Sequence, residues 1–103
     1  MTNPVILCID YERFVLDSLK TELKEEFGGK FTITIAETPE EAIEIFMELI
    51  HEKIEIPLII SDYIMPNIKG DELLIKFHEI SPRSLKIMLT GQATTMGITN
   101  VVN

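Results

Sequence analysis

The chain has 103 residues, 17 acidic against 9 basic, for a formal charge of −8. That length suits one domain, 1–103, hiding roughly 60–68% of its unfolded surface, and 46% hydrophobic content excludes a disordered acidic tail. The charge argues against direct binding to nucleic acid or an anionic membrane, which needs clustered Lys and Arg, and a lone cysteine, Cys8, excludes an intrachain disulfide or a cysteine-built zinc site.

Short runs rich in Ile, Val and Leu alternate with helix-period segments. The first run, Val5–Ile9, lacks the alternation of a half-wet strand and so predicts burial on both faces of a parallel sheet. Next, Val15 or Leu16, Leu19, Leu23 and Phe27 recur every three to four residues until Gly28-Gly29 stops the helix. Residues 31–36 alternate, with Phe31, Ile33 and Ile35 set against Thr32 and Thr34, as an edge strand with one wetter face would.

Thr38-Pro39 supplies an N-cap and a first-turn proline for a second helix, whose buried stripe is Ala42, Ile43, Phe46, Leu49 and Ile50. Its other face carries Glu40, Glu44, Glu48 and Glu52, a ladder of like charges at i,i+4 that costs a few tenths of a kcal/mol per pair. Residues 58–60 form a third strand. A third helix runs from Gly70-Asp71 to Ser81-Pro82, burying Leu73, Leu74 and Phe77, and Leu85–Leu89 is a fourth strand. A fourth helix is expected from Ala93 or Thr94, with the sequence ending before another strand forms.

The order β-α-β-α-β-α-β calls for a parallel α/β sheet with helices on both faces and right-handed crossovers. Such sheets bind ligands at the carboxyl ends of their strands. Three polar residues stand there: Asp10, Asp62 and Thr90. If the first and third strands are neighbours, Asp10 and Asp62 converge, and two carboxylates together call for a proton or a hard cation such as Mg2+. A strand-end Asp is also an ordinary cap or turn residue; two of them with a threonine weigh against that plain reading. Cys8 falls inside a buried strand, and His51 and His78 fall late in helices, where a surface imidazole suits the helix dipole. Apolar runs fall far short of the ~20 residues of a membrane span, and no basic n-region precedes one. A soluble, cytoplasmic domain is expected.

Three stretches carry a resemblance. They are Val5-Ile6-Leu7-Cys8-Ile9-Asp10-Tyr11-Glu12, then Ile59-Ile60-Ser61-Asp62-Tyr63-Ile64-Met65-Pro66-Asn67-Ile68-Lys69-Gly70, then Lys86-Ile87-Met88-Leu89-Thr90-Gly91. With them the chain resembles, over essentially its whole length, the receiver domain of two-component response regulators. The resemblance implies a flavodoxin-like (CheY-like) sheet of strand order 2-1-3-4, here without the fifth strand and fifth helix. It implies a phosphoacceptor signalling domain rather than an enzyme. Asp62 would accept a phosphoryl group from a sensor histidine kinase or phosphotransfer protein, and an output domain or effector protein would read the change. Mg2+ would be held by Asp10, Asp62 and the backbone carbonyl of Ile64, with Glu12 within reach. Thr90 would give its hydroxyl to the phosphoryl group, and Gly91 would leave room for a backbone contact.

Two departures accompany it. The family carries a second acidic residue where this chain has Tyr11, a poor ligand for a hard cation. The lysine, the aromatic switch residue and the last helix that the family places at and after its fifth strand have no counterpart here, and Lys86 is not that lysine. Without that strand the fourth is unprotected and the first helix lacks a neighbour, so dimerisation or strand exchange would cover the surface. Tyr11 favours a rival reading, a pseudo-receiver acting as a phosphorylation-independent interaction module; Asp10, Asp62 and Thr90 oppose it. A phosphatase with its nucleophile after the first strand would need Asp-x-Asp where Asp10-Tyr11-Glu12 stands.

Overall fold

The computed structural model describes residues 2–65, 67–89 and 98–100 of the chain. Its apolar runs are strands: β1 (Val5–Ile9), β2 (Thr32–Ala36), β3 (Leu58–Asp62) and β4 (Leu85–Leu89). They pair in parallel in the order β2-β1-β3-β4. This is the α/β, flavodoxin-like arrangement expected from the sequence. β1 lies inside the sheet and all five of its residues are buried, which is why its sequence shows no alternation. β2 is an edge, and there the expected alternation holds in its first half, with Thr32 facing solvent and Ile33 buried, while Thr34 and Ile35 are both half-buried.

Helices α1 (Arg13–Phe27), α2 (Pro39–His51) and α3 (Gly70–Ile80) connect the strands and divide between the two faces. On β1, Ile6 and Cys8 join Leu16, Leu19 and Leu23 of α1. The alternate residues, Leu7 and Ile9, join Ala42 and Phe46 of α2 and Leu73 and Phe77 of α3 on the opposite face. Phe46 and Phe77 stack with ring centroids 4.1 Å apart, tying α2 to α3. The start of α2 follows its sequence signals, since Thr38 Oγ1 accepts the Glu41 N–H at 3.0 Å and Pro39 occupies the first turn. Burial pushes the Cys8 thiol up to about 12, so it is an inert core group.

Two findings depart from the sequence reading. A three-residue strand, β5 (Ile98–Asn100), pairs antiparallel with β4 through Ile87↔Asn100, Met88↔Thr99 and Leu89↔Ile98. Three residues carry no readable period, and the open backbone groups along the β4 edge are what recruit them. Being antiparallel, β5 is not the parallel fifth strand implied by the resemblance. The fourth helix expected from residue 93 or 94 lies outside the described residues.

The second departure is His78. Instead of standing free on the surface it is half-buried, its Nδ1 2.9 Å from Nζ of Lys86. Lys86 is fully buried and donates to the Ser81 carbonyl oxygen at 2.6 Å. An ammonium only donates, so His78 Nδ1 accepts and the ring proton sits on Nε2. Burial lowers the Lys86 pKa from its usual 10.5. The lysine lies beside Ile59 and bonds at the C-terminal end of α3, away from the carboxyl ends of the strands.

Candidate functional site

The register of β1 on β3 sets Ile9 beside Ser61. One residue further along, Asp10 and Asp62 leave the same end of the sheet side by side. Backbone hydrogen bonds hold both strand ends: Asp10 N–H to the Ala36 carbonyl at 3.1 Å, and Tyr63 N–H to the Leu89 carbonyl at 2.9 Å. The two aspartates face a pocket of about 390 Å³ that Tyr11, Glu12, Ile64 and Leu89 also line. Val15 of α1 completes it.

The carboxylates differ in setting. Asp10 is only 4% exposed, and its Oδ1 accepts the Glu12 N–H at 2.8 Å. Burial raises its pKa to about 6; the Glu12 N–H pulls the other way, and the negative charges of Asp62 and Glu12 add to the rise. Asp62 is half-buried and its Oδ1 accepts the Ile64 N–H at 3.4 Å. Burial raises its pKa too, against the backbone N–H groups of Ile64 and Tyr63, with the Glu12 charge adding to the rise.

The site therefore concentrates negative charge, and among the described residues no salt bridge reaches either aspartate. Oδ1 of each aspartate accepts a local backbone N–H. Hard oxygen donors on an open pocket, each destabilised as an anion, suit Mg2+. Glu12 bears on both aspartates electrostatically, yet no three His, Cys, Asp or Glu side chains gather as a metal cluster among the described residues. A cation here would lean on two carboxylates, a backbone carbonyl and water. Tyr11, 58% exposed, sits on the pocket wall with a phenol where a third carboxylate would have closed that set.

One packing feature was not legible from the sequence. Gly70 opens α3 directly against the end of β3: its N–H donates to the Tyr63 carbonyl at 3.0 Å. A Cβ at this position would run into the Asp62 carbonyl oxygen and lie 2.9 Å from the Tyr63 Cα. Only glycine permits so close an approach of helix to strand end. Asn67, in the left-handed region at φ 75°, ties the intervening loop to α2 through Nδ2 and Glu40 Oε2 at 3.3 Å. Asparagine tolerates that backbone better than most residues. Thr90 and Gly91, singled out from the sequence, lie outside the described residues, as does Pro66.

No protein-family model matches the chain, and no curated protein does. Solved structures do. A CheY-like response regulator receiver domain protein from Methanospirillum hungatei is 31% identical, with a TM-score of 0.73 over 93% of this chain and 70% of its own. The chain belongs to the response-regulator receiver domains. A receiver domain from Clostridium thermocellum is 29% identical over 87% of this chain and 67% of its own, TM-score 0.75. The response regulator TrrA from Thermotoga maritima, in complex with Mg2+-BeF, is 30% identical over 90% of this chain and 74% of its own, TM-score 0.72. This receiver domain thus spans about two thirds to three quarters of each relative. Among its described residues no helix is long and apolar enough to cross a membrane.

Proposed function

We propose that this receiver domain takes a phosphoryl group onto Asp62 from the phosphohistidine of a sensor histidine kinase or phosphotransfer protein. It then relays the change to an output domain or effector protein. The observation that supports this reading is the convergence of Asp10 and Asp62, from neighbouring strands, on one open pocket. Asp62 carries the nucleophilic oxygen. As its bond to phosphorus forms, the bond from phosphorus to the imidazole nitrogen breaks and its electron pair leaves with that nitrogen. The Ile64 N–H orients the carboxylate through Oδ1, leaving the other oxygen to attack. Asp10, Asp62 and the Ile64 carbonyl would hold Mg2+, with Glu12 within reach. That ion supplies the positive charge that lets a phosphoryl anion approach a carboxylate.

On this reading Thr90 gives its hydroxyl to the bound phosphoryl group, and Gly91 leaves space for a backbone contact. The domain works in the cytoplasm beside its kinase. Intact-protein mass after incubation with acetyl phosphate, with and without Mg2+, tests the proposal. A single Mg2+-dependent phosphoryl adduct, absent from Asp62→Asn, is expected. No adduct on the parent, or an equal adduct on Asp62→Asn, overturns it in favour of a phosphorylation-independent interaction module.

A further inference from the structure

The pocket at the strand ends is larger than a phosphoryl group and one hydrated cation need. Its volume of about 390 Å³ has room for roughly a dozen waters at ~30 Å³ each. Its lining also divides by chemistry. Asp10, Glu12 and Asp62 bring carboxylates. Against them stand the ring of Tyr11 and the aliphatic chains of Val15, Ile64 and Leu89.

Strand geometry explains why acid and apolar groups meet. Side chains two apart on a strand share a face. Asp10 therefore follows Ile6 and Cys8, and Asp62 follows Ile60, onto the side of the sheet where Leu16 of α1 packs. Leu89 is the register partner of Asp62 on β4 and packs with that same cluster, so it flanks the Asp62 carboxylate. Val15 approaches from α1, next to the buried Leu16. Ile64 is 54% exposed and is held at the pocket by its N–H on Asp62 Oδ1. Apolar side chains do nothing for Mg2+ or a phosphoryl anion, which take polar partners. They suit the remaining part of a donor, the group that departs from phosphorus.

Charge narrows the class of that group. An acyl phosphate expels a carboxylate, a new anion among Asp10, Glu12 and Asp62. An N-phosphoryl imidazole, protonated on its far nitrogen, expels a neutral ring. The Asp62 oxygen bonds to phosphorus, the P–N bond breaks, and its electron pair stays on the departing nitrogen. A flat, uncharged ring is what an aromatic and aliphatic wall holds well.

We infer that Tyr11, Val15, Ile64 and Leu89 form a leaving-group seat, which selects donors that carry the phosphoryl group on an imidazole ring. The inference rests on the reading of Asp62 as phosphoacceptor. It adds that the domain recognises the donor ring itself, apart from whatever protein carries that ring. Tyr11 then has a role of its own, as the aromatic side of the seat.

The test labels the whole chain, with Mg2+, using monophosphoimidazole and phosphoramidate. Both donors break a P–N bond, and only the first carries a ring. Intact-protein mass gives a rate constant for each, and their ratio cancels any loss of folding or of Mg2+ binding in a variant. Ile64→Ser should lower the ratio of monophosphoimidazole to phosphoramidate about tenfold, the low end of what one apolar contact is worth in a pocket. Tyr11→Ser should lower it about fivefold, and Tyr11→Phe, which keeps the ring, should hold it near the parent value. A ratio unchanged in Ile64→Ser and Tyr11→Ser, or as low in Tyr11→Phe as in Tyr11→Ser, overturns the inference while Asp62 labelling stands. No labelling by either donor or by acetyl phosphate overturns the acceptor reading, and the inference with it.

Discussion

Asp10→Asn isolates the electrostatic strain of the pocket. The carboxyl is nearly inaccessible at 4% exposure, and its pKa is raised from 3.8 to about 6. At 1.36 kcal/mol per pH unit that rise corresponds to about 3 kcal/mol carried by the folded, ionised site at neutral pH. Below pH 4 the group is protonated in both folded and unfolded chains, and the penalty is absent. Between about 4 and 6 the unfolded chain loses its proton first, so the wild type loses stability as pH rises. Above 6 the full penalty stands.

Asparagine keeps the oxygen that accepts the Glu12 N–H and removes the charge, while its amide has its own desolvation to bear. The net gain at pH 7.5 without divalent cation should be about 1–2 kcal/mol, or roughly 5–15 °C in Tm for a domain of this size. Thermal unfolding followed by circular dichroism in EDTA, from pH 4 to 8, measures it. The variant should lie about 1–2 kcal/mol below the wild type at pH 4, where only the cost of its amide remains, and should overtake it as the pH rises to about 6. Adding Mg2+ should then stabilise the wild type more than the variant, because binding to the native state adds its own increment. A variant no more stable than the wild type at pH 7.5, or a difference independent of pH, would refute the account of Asp10 as a strained carboxylate.

Further outcomes follow from other residues. Gly70→Ala should destabilise the fold by about 1–3 kcal/mol, the range for forced overpacking, and depress acetyl-phosphate labelling, because the new methyl displaces the Asp62 backbone; labelling at the parent rate in a folded variant contradicts the close-approach argument. Tyr11→Asp adds the missing carboxylate to the pocket wall and should tighten Mg2+ binding in a titration, and unchanged affinity would mean that the tyrosine leaves no vacancy worth filling. Lys86→Met removes a buried charge whose pKa is lowered by desolvation. The wild type bears that penalty in full below the folded pKa and sheds it as pH rises toward 10.5, so at pH 7 urea unfolding should find the variant within about 1 kcal/mol of the wild type or more stable. A loss above about 2 kcal/mol would show instead that the bonds to Ser81 and His78 hold the end of α3.

Much of this was legible in the sequence because strand and helix periods are local properties. Buried strands read as continuous runs, as in Val5–Ile9; the Thr38-Pro39 cap announced α2; and polar residues directly after apolar runs marked the strand ends. The resemblance around Asp62 rests on contiguous residues, so it too needed no tertiary information. Strand order is different in kind. That Asp10 meets Asp62 depends on β1 pairing with β3, and no local pattern states which strands are neighbours.

What tertiary structure alone decided is wherever distant segments meet. β5 exists because the β4 edge offers unpaired backbone groups to three residues with no signal of their own. His78 left its surface place because Lys86, eight residues on, turns inward beneath the end of α3. The rise in the Asp10 pKa comes first from burial, with the Asp62 carboxylate that the sheet brings close adding to it, and Gly70 is required by the approach of a helix to a strand end. Sequence sets what each segment can become; desolvation, charge proximity and steric fit arise only when the segments are packed together.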